Sequence, residues 1–180
     1  LIEPVVSGID VREFFPEGTP YIRVGDIQAG RVCDDSARRI TRTINDVDKE
    51  IALQPGDVLF TRKGSFGNAA VVRPGQEGCI ISTEIIRLRI SQRWRDSLLP
   101  EYLATFLNSR AGGYQAEKWA HGVAFYSVTR VDLGKFVVPL LARTLQQKIR
   151  DALEASESAR RRAHLLLDRA KRAVEIAIEQ

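Results

Sequence analysis

The sequence predicts an α+β fold in two parts: a β-rich body with a mixed or antiparallel sheet over residues 1–143, and one long helix of coiled-coil type over 144–180. Two observations carry this. Every Gly, Pro, Phe, Tyr and Trp of the chain precedes Leu145, so turn-forming and sheet-favouring residues stop where the tail begins. Within the body, short apolar runs recur between Gly- and Pro-containing turns. Several of these runs alternate apolar with polar side chains, as half-buried strands do.

The elements follow in order. Residues 21–27 (YIRVGDI) alternate and predict a strand, with Gly25 marking a bulge or a close backbone approach. Pro55 and Gly56 make a turn into a short strand at 57–61. Two more strands, 69–73 and 79–82, are joined by the turn Pro74-Gly75, and 84–90 (EIIRLRI) alternates again. Residues 100–109 read as a helix: Pro100 suits a first turn, and Leu103, Phe106 and Leu107 form an apolar face. Gly112-Gly113 then end the helical pattern, and 134–141 (GKFVVPLL) form a last strand with Pro139 near its end. In the tail, Ile149, Leu153, Ser156, Ala163, Leu167, Ala170, Val174 and Ala177 fall mostly three and four apart, one stripe on one helix. The alanines would let a second helix approach closely, from this chain or a neighbour. The bland alternative is an amphipathic helix folded back on its own body.

Composition bounds the function. A chain of 180 residues with 44% hydrophobic residues can bury a core. No apolar run approaches the ~20 residues of a membrane helix, and Leu1 opens no signal peptide. The sequence holds no Met, so the chain is expected to be a piece of a longer one. Cys33 and Cys79, with His121 and His164, lack metal-ligand spacing. The expectation is two free thiols in a reducing cytoplasm, with no metal and no cofactor. A net charge of +4, largely from Arg, agrees with nucleic-acid binding without requiring it.

Two stretches carry candidate binding chemistry. The segment 61–68 (TRKGSFGN) sets Arg62 and Lys63 beside Gly64 and Gly67, with Ser65 and Asn68 as further polar groups. Small residues let backbone N–H groups approach a phosphate that the cations neutralise; the alternative is a tight turn that happens to be basic. It is not a Walker loop, because the Gly-Lys-Ser/Thr ending is missing. The segment 118–130 (KWAHGVAFYSVTR) interleaves Lys118, His121, Tyr126 and Arg130 with Trp119 and Phe125, as a nucleic-acid surface loop would. Alternatively Trp119 and Phe125 are core residues and the charges a solvated rim. Catalysis finds no support. Asp57 and Glu84 are followed by Arg87 and not by the lysine of a metal-dependent nuclease, and no glycine-rich turn offers a place for S-adenosylmethionine. No Asn/Asp-Pro-Pro-aromatic tetrad occurs, and Ser82 with His121 is a chance pairing any domain offers.

Taken together, these segments resemble target-recognition domains of type I restriction-modification specificity subunits. GTPYIRVGDIQAG (18–30) is similar to their G-x-P-Y-x-R-x-x-D-I-x-x-G opening. PGDVLFTRKGSFGNAAVV (55–72) resembles their G-D-V/I-L segment, and LPEYLATFLNS (99–109) the helix after it. HGVAFYSVTRVDLGKFVVPL (121–140) and QQKIRDAL (146–153) resemble the family's P-L stretch and the Q-x-x-I start of its helical conserved region, without the usual Glu before Gln146. The resemblance implies a module that reads one half of a split site in double-stranded DNA and is not itself an enzyme. An adenine methyltransferase subunit and a restriction subunit would be its partners, and the helix a spacer packed on a second helical arm through Ile149, Leu153, Ala163, Leu167, Ala170 and Val174. A fused N6-adenine methyltransferase is an alternative parent, and a dimerising scaffold that binds no DNA is a rival from another class.

Overall fold

The structure, a computed structural model, describes residues 1–3, 5–28, 30–43, 51–64, 67–122 and 126–179. Its centre is an antiparallel sheet of four strands, β1 (Val6–Ser7), β9 (Ile85–Leu88), β6 (Val58–Thr61) and β7 (Ala69–Val71), in that spatial order. A second sheet sets β2 (Thr19–Ile22) between antiparallel β5 (Arg38–Ile40) and parallel β8 (Ile80–Ile81). A hairpin of β3 (Ile27–Gln28) and β4 (Arg31–Val32) completes the β structure. One sheet is thus antiparallel and the other mixed, within what the short, closely spaced strands predict.

Both faces of the central sheet are covered, so β6 and β9 are buried at every position. One face carries Val58, Phe60, Ile86 and Leu88 against helix α1 (Pro100–Leu107). The other carries Leu59, Ala70 and Ile85 against Ile22, Val32 and Ile81. One ion pair is built into this core: Arg89 forks onto the buried carboxylate of Asp57 at 2.7 Å through both Nε and Nη2. Asp57 also accepts the backbone N–H of Gln54 at 2.7 Å, so the turn before β6 closes on the same carboxylate. Cys33 and Cys79 are buried and free, and desolvation pushes the Cys79 thiol up to about 12.

Three expectations are corrected. Residues 21–27 do not form one strand: Val24–Asp26 make a single 3-10 turn, held by Asp26 accepting the backbone N–H of Arg23 at 2.9 Å. Gly112-Gly113 do not end helical structure. Ser109 caps a further helix, α2 (Arg110–Trp119), by accepting from the Gly112 N–H. Helix α1 passes so close that a Cβ on Gly112 would lie 2.4 Å from the carbonyls of Phe106 and Leu107, so here glycine allows an approach and breaks nothing. Residues 134–141 form no strand: Gly134 and Lys135 turn off the end of the short helix that precedes them, and 136–141 follow without ladder pairing. They cross α1 and α2, where side chains take their backbone bonds: Gln115 accepts from Val137 N–H and donates to its carbonyl, and Tyr102 donates to the Pro139 carbonyl at 2.6 Å. Phe136 still reaches the core, its ring 6.2 Å edge-on from Phe60.

The tail is one helix of 36 residues, α4 (Arg143–Ile178), about 54 Å long. Its root belongs to the body. Gln146 is fully buried; its Oε1 accepts the Leu99 N–H, and its Nε2 donates to the carbonyls of Ser97 and Leu141, all at 2.8 Å. Ile149 packs on the main core and Leu153 is half-buried. Farther along, the helix stands off: a cleft of about 860 Å³ separates Pro55, Gly56 and Arg73 from Glu157, Arg160 and Arg161. Beyond Leu153 the apolar stripe also leaves the body. At roughly 100° per residue, Ala163, Leu167, Ala170 and Val174 lie about a third of a turn from Glu157, His164 and Asp168, which face it. All four of those stripe residues are exposed.

Candidate nucleic-acid interface

Backbone bonds and isolated bridges bring the two candidate stretches together. Strand β6 ends at Thr61, and the chain returns to β7 through a loop whose Gly64 and Gly67 have φ of 74° and 90°, conformations that other residues adopt only with strain. Asn68 closes the loop: its carbonyl accepts the Thr61 N–H at 2.9 Å, and its own N–H donates to Thr61 Oγ1 at 3.0 Å. On one side the Arg62 N–H donates to the Glu84 carbonyl; on the other its carbonyl accepts from Val128, both at 2.9 Å. Lys63 and His121 each bridge to Ser127 in antiparallel fashion, His121 through a reciprocal pair of 2.9 Å bonds. Residues 62–63, 121 and 127 are therefore joined, with buried Val128 beneath them, although about sixty residues of chain separate the two halves.

Helix α3 (Arg130–Leu133) supports that surface from below. Thr129 caps it by accepting the Asp132 N–H and donates to the Asp132 carboxylate. The same buried carboxylate takes Lys135 Nζ at 2.8 Å and lies 3.2 Å from His121 Nε2. The bonds from Lys135 and Thr129 hold the Asp132 carboxyl down at about 2, against the opposing pull of desolvation. Lys135 in turn stacks on Trp119, 4.4 Å from its centroid, and Lys118 lies 5.2 Å from the same ring.

The candidates divide by placement. Arg62 is half-buried with its Nε hydrogen lacking a partner, while Lys63 is exposed beside it. This is a guanidinium held by its backbone with donor capacity left over. Tyr126 is exposed, and Arg130 donates to the Val5 carbonyl at 3.4 Å. Lys118 lies in the last turn of α2 and Arg130 opens α3, so 118–130 is not a loop throughout. His121 faces Asp132 and acts as a strut of the surface. Asn68 sits at the loop base. Trp119 is half-buried as a platform for two lysines, between the core and the rim readings. Ser65 and Phe125 lie outside the described residues. Sequence reasoning missed Asp132, Thr129 and Lys135. The spacing Thr129-x-x-Asp132 is a capping signature and could have located the helix start.

Among the described residues there is no group of three metal-ligating side chains, and no helix is long and apolar enough to cross a membrane. No family model matches the sequence, and neither does any curated protein. Solved structures do match. The chain is similar to one from a study of complex assembly and conformational transition of the type I R-M (restriction-modification) system, with 20% identity and a TM-score of 0.58 over 86% of this chain and 36% of that one. It is also similar to the HsdS subunit from Thermoanaerobacter tengcongensis, with 21% identity and a TM-score of 0.55 over 86% of this chain and 35% of that one. The chain spans about a third of the length of the structures it matches. What the likeness establishes is architecture: a mixed-sheet α+β body carrying a long C-terminal helix, the fold of part of a type I HsdS subunit.

Proposed function

We propose that the chain is a DNA target-recognition module of a type I restriction-modification specificity protein. In this reading it binds one half of a bipartite site in double-stranded DNA and directs a partner adenine methyltransferase subunit, with a restriction subunit, to it. The observation that carries this is the joining of Lys63 and His121 through Ser127, which sets the two candidate segments side by side in a body with the HsdS fold. Lys63 supplies a point charge for a phosphate; Arg62 and Arg130 supply forks that match phosphate or the O6 and N7 of guanine. Tyr126 is a further exposed polar side chain, next to Ser127 in the chain. Methyl transfer belongs to the partner, since an adenine must be flipped into a cofactor-bearing pocket. Helix α4 serves as a spacer, pairing its alanine-lined stripe with a second arm.

The test joins the chain with its cognate methyltransferase subunit, S-adenosylmethionine and a random duplex pool. Site-specific adenine methylation that needs both proteins is the expected result. In the same system, replacing Arg62 and Lys63 with alanine lowers affinity and reduces the salt slope by up to about two phosphate contacts. Methyl transfer or strand cleavage by the chain alone, or a salt slope unmoved by the double substitution, would overturn the reading.

A further inference from the structure

A second basic cluster lies outside both segments. The guanidinium of Arg38 sits 4.8 Å from the centroid of Phe14, and that of Arg23 sits 5.8 Å from the same ring. The ring is fixed from behind by Tyr21, 5.9 Å away, whose hydroxyl donates to the Ile9 carbonyl at 2.7 Å. Arg38 is exposed, and among the described residues it forms no ion pair. Arg23 has Asp26 at 3.7 Å, yet its buried Nε makes no hydrogen bond. Stacking uses the face of a guanidinium and leaves its in-plane N–H fork free for an oxyanion. Two cations beside one ring give the patch a positive charge that the Asp26 carboxylate, 3.7 Å from Arg23, offsets only in part.

The cluster adjoins the Arg62 loop. Ile22, the residue before Arg23, accepts the Ser82 N–H, and Arg62 donates to the Glu84 carbonyl, both at 2.9 Å. Arg23 and Arg62 therefore flank the two ends of one turn. Val24 is the nearest neighbour of Gly64, 3.8 Å from where a Cβ would stand. We propose that Arg38 and Arg23, stacked on Phe14, form a second contact zone for the phosphate backbone of duplex DNA, continuous with the Arg62–Lys63 loop. This rests on the DNA-recognition reading and extends it: the zone positions the duplex without reading its sequence.

The experiment measures binding of the 180-residue chain to random-sequence duplex DNA across a salt series. Arg38→Ala is expected to weaken binding evenly on all sequences and to lower the salt slope by about one contact. Phe14→Leu keeps both charges and is expected to weaken binding with the slope retained. Arg93→Ala is the control. It removes another exposed arginine beside an aromatic ring, 5.9 Å from Trp94, and is expected to leave the slope unchanged. If Arg38→Ala matches the parent while Arg62→Ala lowers the slope, the second zone is wrong and the recognition reading stands. An equal drop for Arg38→Ala and Arg93→Ala reduces the effect to net charge and also overturns the zone. If the parent retains no DNA at low salt, both fall together.

Discussion

The body and the distal half of helix α4 solve the same problem in opposite ways. In the body, apolar residues of β6 and β9 are buried on both faces of a sheet, and even the buried carboxylates Asp57 and Asp132 have partners, Arg89 for the first and Thr129, Lys135 and His121 for the second. In the distal helix the backbone bonds run along the helix itself, but Leu167 and Val174 remain more than half exposed. The His164–Asp168 contact there, at 3.7 Å, is a surface contact worth at most about 0.5 kcal/mol. A helix of this length draws most of its stability from packing an apolar face, and past Leu153 the body supplies none. The difference teaches that the fold of the body is self-contained, whereas the order of the distal helix depends on what covers its stripe.

The sharpest way to break that comparison is to truncate one large side chain in each region. Phe60 is fully buried and meets Phe136 edge-on, so Phe60→Ala should cost about 3–5 kcal/mol. Leu167→Ala should cost less than about 0.5 kcal/mol in the dilute chain. Urea unfolding followed at low protein concentration checks both; comparable losses would mean the distal helix is packed after all.

Gln146 stands at the border between the regions, and its replacement is the next largest effect. Gln146→Leu keeps the volume but strands the Leu99 N–H and the carbonyls of Ser97 and Leu141. Unsatisfied buried groups of this kind cost about 1–3 kcal/mol each before water relaxes them, so a loss of about 3 kcal/mol is expected. Amide exchange should rise in residues 143–153 before it rises in β6. Protection unchanged in that segment would show that Ile149 and Leu153 suffice to dock the root.

How much of this was legible in the sequence follows the same border. Strand positions 58–61, 69–71 and 85–88 and the long helix are visible because their side-chain period and their turn residues agree locally. The errors fall where a partner distant in sequence decides. Gly112 looks like a breaker until α1 is seen pressing on it, and 134–141 looks like a strand until Gln115 and Tyr102 take its backbone bonds. The basic residues of the candidate interface could be picked one by one. Their joining through Ser127, and the inward turn of His121 to Asp132, depends on tertiary contacts that no spacing rule encodes.

Acid separates the regions more gently. The Asp132 carboxyl titrates at about 2 in the folded chain, below its ordinary value of 3.8. A depressed folded value stabilises the fold at every pH above the ordinary one, and that contribution disappears as pH falls from about 4 toward 2. Asp132→Asn should therefore melt below the parent at neutral pH, and the gap should close under acid. His121 and Lys135 lose their shared partner in this variant, so DNA affinity should fall with stability. A gap in melting temperature that stays constant down to pH 3 would assign the loss to the Thr129 cap and not to the charge.

The smallest effect on the isolated chain, and the most informative about its arm, comes from Ala163→Glu with Ala170→Glu. Both positions are exposed and lie on the stripe turned away from the body. In a lone helix glutamate is nearly as good a helix former as alanine, so unfolding of the dilute chain should shift by less than about 0.5 kcal/mol. Pairing changes the outcome. Between two helices these positions become a seam, small enough in the parent for close approach, and a buried carboxylate there carries a desolvation penalty far larger than its helix propensity. Sedimentation of the parent at rising concentration is expected to show association, and the doubly substituted chain is expected to remain a monomer throughout. Association that survives both charges would place the seam elsewhere, with exposed Leu165 and Ile176 on the opposite side of the helix as the alternative face. A parent that stays monomeric would require the second arm to come from another part of a longer chain, and supplying that arm as a separate helix should then raise the melting temperature of the parent and leave that of the variant unchanged.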